Sequence, residues 1–225
     1  RINSNKEEEV FSLEDTDNND FLQMRLHKNR LKVLSSDFGS LINVDGSVFT
    51  AEEITFHTPS EHTINGKRYD LEVQIIHYGK STGDISKQAV LCFLFKSAPG
   101  KYNKFFDSFD FFSLPNKKNI SKDLHSPIDI NEILSNIESY SDIKDNSSSN
   151  NNEQGTFNIP DKKAKLRPFS FYSYEGSLSF PPCTERTVYY VSSEIQPLSM
   201  TIIKLFQEAL LEPDFVDNKG DLIIS

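Results

Sequence analysis

The sequence predicts a mainly β (α+β) fold, with a single domain over residues 1–225 in which short helices surround one sheet. Short segments of Val, Ile, Leu, Phe and Tyr recur between turn clusters of Gly, Asn, Asp and Pro, which is typical of strands joined by turns. Helical periodicity is scarce. The 225 residues, 36% of them hydrophobic, are enough for one β-rich domain or at most two small ones.

Six apolar segments are the predicted strands, and two further segments are predicted helices. The strands are 31–34, 53–57, 68–78, 89–96, 169–175 and 187–191. The first helix, 102–111, carries aromatic residues at roughly helical spacing. The second, 199–211, begins at Ser199, whose hydroxyl suits a helix N-cap. Its apolar side is formed by Ile202, Ile203, Leu205, Phe206 and Leu210.

Residues 141–165 interrupt this pattern with a stretch rich in Asn and Ser, followed by a Lys-rich run. Almost no apolar side chain is present there to offset the entropy cost of ordering the chain. We interpret the segment as a disordered loop inserted within the domain, because apolar strands flank it on both sides. A linker between two domains is the competing interpretation.

Charge and composition argue against several classes of partner. The net charge of −9 and the pI near 5.1 disfavour nucleic acid and anionic membrane surfaces, since both require a basic face. No run of about 18 apolar residues is present, so no transmembrane segment is expected in this chain. Cys92 and Cys183 are too few for a disulfide framework or a Cys-rich metal site, and Cys92 is expected to be a buried thiol.

The stretch 54–78 gathers polar residues on two apolar strands. Alternation places Thr55 and His57 on one face of the first strand, and a two-residue turn is predicted at Asn65-Gly66. On the second strand Gln74 shares a face with residues 72 and 76, so Thr55, His57 and Gln74 converge if the two strands pair. From the residues alone, such groups are more often hydrogen-bonded core residues than metal ligands.

Three segments of the chain resemble the α-carbonic anhydrase family. FHTPSEHTINGKRYDLE at 56–72 is similar almost letter for letter to that family's zinc-site motif. SYEGSLSFPPCTERTVYYVSSEIQPLS at 173–199 and QAVLCFLFK at 88–96 resemble two further family segments, in the family's order. The resemblance covers most of 32–211. It implies the carbonic anhydrase fold, a large, twisted, mostly antiparallel sheet of about ten strands with short peripheral helices.

The resemblance also implies a metal site, and this chain departs from it. The family holds Zn²⁺ with three neutral imidazoles and a water whose pKa falls to about 7. The matching positions are Thr55, His57 and Gln74, so one imidazole is kept. We therefore expect an incomplete zinc site in a weakly active or non-catalytic carbonic-anhydrase-related protein. Such a protein binds a protein or glycan partner, and its cofactor is zinc if it is active and none otherwise.

The alternative is a zinc-dependent enzyme for reversible CO2 hydration, with CO2 and bicarbonate as substrates. A proposed eta class from protozoan parasites is described as using two histidines and one glutamine. Gln74 and His57 would then be ligands, with His62 or His77 as the third. His77 is predicted to point to the opposite face from Gln74, and His62 lies beyond a Thr-Pro bend.

Other residues take family roles by the same resemblance. Glu61 and Ser179 match the pair that orients the zinc-bound water, and they are the candidate catalytic residues. Glu72, His62 and Tyr174 match groups that support the ligands. His27 is the one candidate for a proton shuttle. The expected CO2 pocket is formed by Ile76, Val90, Leu178, Phe180 and Tyr189, of which Phe180 is bulkier than the family's usual residue.

The ends of the chain and its cellular location are less clearly marked. The family's opening S-P-I-N-I and closing N-x-R-x-x-Q segments are not evident, so we expect a fragment or a copy with divergent ends. Cys183 lies where secreted relatives have a cysteine bonded to one near the N-terminus. With N-glycosylation patterns at Asn119 and Asn146, this favours a secretory or extracellular route without fixing it.

Overall fold

The computed structural model describes residues 22–27, 30–35, 38–42, 47–79, 88–115, 121–124, 126–134, 170–180 and 183–210. These residues form nine strands, one α-helix and three short 3-10 helices. The strands are β1 (Leu22–His27), β2 (Arg30–Leu34), β3 (Ser40–Ile42), β4 (Val48–His57), β5 (Leu71–Gly79), β6 (Gln88–Ser97), β7 (Ser121–Leu124), β8 (Phe171–Ser177) and β9 (Glu185–Leu198). The helix α1 is Met200–Leu210, and the 3-10 helices are Lys104–Ser108, Phe111–Ser113 and Ile130–Leu134.

All nine strands belong to one sheet. Its order is β7-β1-β2-β4-β5-β6-β9-β8, and β3 pairs with β4 beside β2. Every neighbouring pair is antiparallel except β6 and β9, which are parallel. The prediction of a large, mostly antiparallel sheet is confirmed, with nine strands in the described part of the chain where about ten were expected.

The six predicted strands correspond to β2, β4, β5, β6, β8 and β9. Three strands were not predicted: β1, β3 and β7. β3 and β7 are short, and β7 reads Ser-Lys-Asp-Leu with one buried residue, Leu124, so it carries no apolar alternation that a sequence pattern could reveal. β1 does alternate, with Met24 and Leu26 buried, but it was not identified as a strand from the sequence. All three strands are held by pairing with neighbouring strands of the sheet, which is a tertiary effect.

Of the two predicted helices, one is confirmed. Helix α1 begins after Ser199, whose Oγ accepts a hydrogen bond from the Thr201 N–H at 3.2 Å. A single helix over 102–111 is wrong. The backbone of Phe109 is extended between two separate 3-10 helices, and Asn103 caps the first of them by accepting from the Phe105 N–H at 2.9 Å.

The two faces of the central strands have different surroundings. One face belongs to the main hydrophobic core, where Phe56 lies 4.7 Å from Phe206 and 5.2 Å from Phe109 between ring centroids. The other face carries a smaller apolar cluster that includes Ile76 and Val90. Between that cluster and the end of β4 lie the polar residues that are candidates for function.

Some predictions fall outside the described residues. Residues 141–165 and the two glycosylation patterns' Asn119 and Asn146 are among them, so the loop insertion and the single-domain organisation stay predictions. In the part of the chain that the structure describes, no helix combines the length and apolar character needed to cross a membrane.

Candidate functional site on the polar face of the sheet

Cross-strand register brings the candidate residues together. Thr55 on β4 lies opposite Gln74 on β5, and Gln74 lies opposite Cys92 on β6. Two residues further along β4, His57 lies opposite Glu72 on β5. Since residues two apart on a strand share a face, these five side chains occupy one patch of the sheet. All five are buried.

The connection from β4 to β5 brings Glu61 and His62 to this patch. Asn65 and Gly66 have positive φ values of 53° and 74°, as a two-residue hairpin turn requires, and they close an isolated bridge between Ile64 and Lys67. Ser60 holds the two ends of this connection together. Its Oγ accepts a hydrogen bond from the Tyr69 N–H at 2.9 Å and donates one to the His62 carbonyl at 2.7 Å. The predicted turn is therefore present, within the connection and apart from the main strand pair.

Glu61 is the centre of a hydrogen-bond network. Its Oε2 accepts from Gln74 Nε2 at 3.0 Å and from Ser179 Oγ at 2.8 Å, and its Oε1 lies 3.3 Å from His57 Nδ1. Burial alone would raise the pKa of Glu61, but the hydrogen bonds and charge from His57, with those from Ser179 and Gln74, outweigh it and bring the pKa to about 2. Glu61 is thus an ionised acceptor at neutral pH.

His57 and Gln74 are both committed to protein partners. The second ring nitrogen of His57, Nε2, lies 3.0 Å from Thr55 Oγ1. The Gln74 amide nitrogen donates to Glu72 Oε1 at 2.9 Å in addition to Glu61. The Gln74 carbonyl oxygen, Oε1, is buried and has no hydrogen-bond partner among the described residues. Thr55, His57 and Gln74 therefore lie together, held by hydrogen bonds.

Glu72 anchors a second network behind Gln74. The backbone N–H of His62 donates to Glu72 Oε2 at 2.9 Å, and His62 Nδ1 lies 2.6 Å from Glu72 Oε1. His62 Nε2 lies 2.7 Å from the Tyr174 hydroxyl, whose ring stacks on Tyr189 with centroids 4.9 Å apart. Burial opposes ionisation of Glu72, yet the contacts with His62 keep its pKa below the usual range.

The residues of the expected CO2 pocket belong to one apolar cluster. Ile76, Val90, Leu178 and Tyr189 are buried in it, and Phe180 is half-buried at its edge. The cluster adjoins the polar patch, since Val90 and Cys92 alternate on the same face of β6. Apolar surface thus lies directly beside the Glu61 and Ser179 hydrogen bond.

The two histidines proposed as alternative third ligands lie in different environments. His77 is fully buried on the core side of β5, where its Nδ1 lies 3.0 Å from the Ile75 carbonyl, and burial lowers its pKa to about 4. It does not share a face with Gln74, as strand alternation predicts. His62 contacts Glu72 and Tyr174 through its two ring nitrogens, as described above.

Sequence reasoning missed two residues of this region. The guanidinium of Arg30 on β2 lies 3.5 Å from the centre of the Phe180 ring and covers it. Nothing local in the sequence indicates this contact, since the two residues are far apart in the chain. Cys92 was predicted only as a buried thiol, whereas it borders Glu72, and burial raises the pKa of its thiol. The β5–β6 register was the missing information.

The family model described as "Eukaryotic-type carbonic anhydrase" matches residues 2–217. This chain belongs to that family. Alpha carbonic anhydrase 8 of Arabidopsis thaliana is 28% identical over 192 residues, which are 85% of this chain and 40% of the relative. Dioscorin DB3S of Dioscorea polystachya is 29% identical over 174 residues, 77% of this chain and 51% of that protein. The chain thus spans roughly half of the curated relatives' length.

Solved structures show the same fold. The α-carbonic anhydrase of Thermovibrio ammonificans, in complex with the inhibitor sulfanilamide, superposes with a TM-score of 0.65 at 23% identity, covering 89% of this chain and 71% of that one. A dioscorin complexed with ascorbate gives a TM-score of 0.65 at 21% identity, covering 96% of this chain and 73% of that one. The carbonic anhydrase fold expected from the sequence motifs is confirmed.

Proposed function

We propose that this chain is a carbonic-anhydrase-related domain, weakly active or non-catalytic, whose family zinc site is replaced by a hydrogen-bond network. The observation that carries the proposal is the state of the three residues at the family's ligand positions. His57 has both ring nitrogens in contact with protein groups, Thr55 Oγ1 and Glu61 Oε1. Gln74 directs its amide nitrogen toward two carboxylates.

The ligand atoms that these residues offer to a metal support the same proposal. Structural and catalytic zinc sites use imidazole, thiolate and carboxylate ligands, and three imidazoles serve in the carbonic anhydrases. Thr55 offers a neutral hydroxyl and Gln74 an amide oxygen, both weak donors to a borderline-soft cation. The orphaned Gln74 Oε1 is one acceptor where the family presents an imidazole. These residues therefore do not fit the family's tetrahedral zinc site.

What the chain retains is suited to binding. Apolar side chains lie beside Glu61 and Ser179, and CO2 or bicarbonate as ligand fits the family. Ser179 donates to Glu61, so its oxygen is oriented to accept a hydrogen bond from a bound water or bicarbonate. Water without a metal ion ionises far above neutral pH, so these groups do not supply the hydroxide that hydration needs. The domain binds a protein or glycan partner in place of hydrating CO2.

The test compares the wild-type chain with a variant that restores the family's ligands. Stopped-flow CO2 hydration is measured with and without added Zn²⁺ for wild type, for Thr55→His/Gln74→His and for His57→Ala. We expect wild type to be indistinguishable from His57→Ala and the double variant to gain zinc-dependent activity. Zinc-dependent hydration by wild type that is lost in His57→Ala would establish an enzyme with an unusual ligand set and reject the proposal.

A further inference from the structure

Beside the family's ligand positions lies a second group of metal-ligating side chains. One donor atom each from His62, Glu72 and Cys92 lies within 4.8 Å of the other two. Glu72 and Cys92 are almost fully buried, and His62 is half-buried toward the surface. They come from the β4–β5 connection, β5 and β6, three neighbouring parts of the fold.

We infer that His62, Glu72 and Cys92 form a binding site for a thiophilic divalent cation, Zn²⁺ among the physiological ions. Imidazole, carboxylate and thiolate are the three ligand types that zinc takes from proteins, in contrast to the hydroxyl and amide at Thr55 and Gln74. A thiolate and a carboxylate together neutralise a divalent charge, which reduces the cost of placing the ion in a buried position. Three protein ligands leave a fourth position for water or an exogenous ligand.

A hydrogen bond already holds His62 and Glu72 together, at the place where a bound cation would replace a proton. His62 Nδ1 lies 2.6 Å from Glu72 Oε1, and the cation takes the place of the proton shared there. The imidazole proton then resides on Nε2 and is donated to the Tyr174 oxygen, 2.7 Å away. The thiol proton of Cys92 passes to solvent. Gln74 Nε2, 2.9 Å from Glu72 Oε1, keeps the carboxylate oriented, as groups behind metal ligands commonly do.

A buried acceptor without a hydrogen-bond partner in the described part of the chain lies on Gln74, next to this group. The Gln74 carbonyl oxygen is buried and lacks a hydrogen-bond partner among the described residues, although the same amide group contacts Glu72. Buried polar atoms without a partner are rare and call for an unseen water or ion. A cation with its bound water next to Glu72 would supply that partner. The site goes beyond the proposed function, since it does not depend on whether CO2 is hydrated.

The experiment uses the chelator-treated 225-residue chain titrated with Zn²⁺ and, separately, with Co²⁺ as a spectroscopic probe. We expect one equivalent of metal to bind, the Tm to rise with metal concentration, and Co²⁺ to give the near-ultraviolet charge-transfer absorption of a cobalt–thiolate bond. Cys92→Ser is expected to abolish that absorption and to weaken Zn²⁺ binding at least about 100-fold, the upper end of losses seen for residues that merely orient a ligand.

Matched variants separate this site from its neighbours. Cys183→Ser removes the exposed thiol and His57→Ala removes the family-position imidazole, and both should bind Zn²⁺ as wild type does. Cys92→Ala guards against a folding defect peculiar to serine. The inference is overturned if wild type gives no thiolate absorption with Co²⁺, or if His57→Ala releases zinc while Cys92→Ser retains it. The latter result would also count against the proposed function, whereas loss of zinc in Cys92→Ser alone leaves that proposal intact.

Discussion

On β4, neighbouring residues point to opposite sides of the sheet and have different surroundings. Phe56 packs between Phe206 of α1 and Phe109, in a core that runs across most of the described strands. Thr55 and His57, one residue away on either side, hydrogen-bond to each other and, through His57, to Glu61. The first face is filled by apolar contacts, which depend little on direction, and the second by hydrogen bonds, which are directional.

The two faces contribute differently to the stability of the fold. Burial of apolar side chains on the core face supplies the stabilisation, and it does not depend on which donors line the other face. On the polar face, Thr55, His57 and Gln74 are held by directional hydrogen bonds with each other and with Glu61 and Glu72. The fold therefore shows less about activity than the polar face does.

The largest expected effect separates the two faces directly. Phe56→Ala removes a ring that contacts two other aromatic rings in a fully buried position, and we expect it to lower the free energy of unfolding by about 3–5 kcal/mol. Thr55→Ala removes one hydrogen bond and leaves His57 Nε2 without that partner, at a cost of about 1–3 kcal/mol. Chemical denaturation of the two variants measures both values.

If the two substitutions cost the same, or if Thr55→Ala costs more, the polar network and not the apolar core would be the main source of stability. Circular dichroism of each variant before denaturation is the control, since a chain that has already lost its sheet reports no difference. Phe56→Leu, which keeps an apolar side chain, should recover part of the lost stability.

The sequence predicted the alternation along each strand better than the contacts between distant segments, for a physical reason. Alternation at 53–57 and 68–78 is a local signal, and it placed both strands and the shared face of Thr55, His57 and Gln74. The contact of Arg30 with Phe180 and the proximity of Cys92 to Glu72 depend on register and on loops distant in sequence. The prediction of one helix over 102–111 was wrong because Phe109 adopts an extended backbone.

A pH dependence is the next effect in size, and it arises on the core face. Burial lowers the pKa of His77 to about 4 from an ordinary value of 6.5. Between pH 6.5 and 4 the unfolded chain binds a proton that the folded chain excludes, so stability is full above pH 6.5 and falls as the pH drops to 4. At 1.36 kcal/mol per pKa unit, the loss from this residue reaches about 3 kcal/mol.

Denaturation from pH 7.5 to 4 in wild type and His77→Leu isolates that contribution. The variant has no imidazole to protonate, so its stability should fall less steeply over the same interval, even though it loses the contact with the Ile75 carbonyl. Equal slopes would show that His77 titrates normally and is accessible to solvent. The ring proton resonances of His77, unchanged down to about pH 5, are the direct check on its low pKa.

The smallest expected effect lies at the edge of the polar face, where Arg30 covers Phe180. A guanidinium 3.5 Å from a ring centre is attracted by the negative ring face, and such contacts contribute about 0.5–1 kcal/mol when partly exposed. A double-mutant cycle with Arg30→Ala and Phe180→Ala should give a coupling energy in that range. Phe180→Leu keeps apolar contact but removes the ring, so a cycle with Phe180→Leu and Arg30→Ala should give the same coupling energy as the alanine cycle. A coupling energy near zero in the leucine cycle would identify ordinary packing as the source, because leucine would then keep the contact with Arg30.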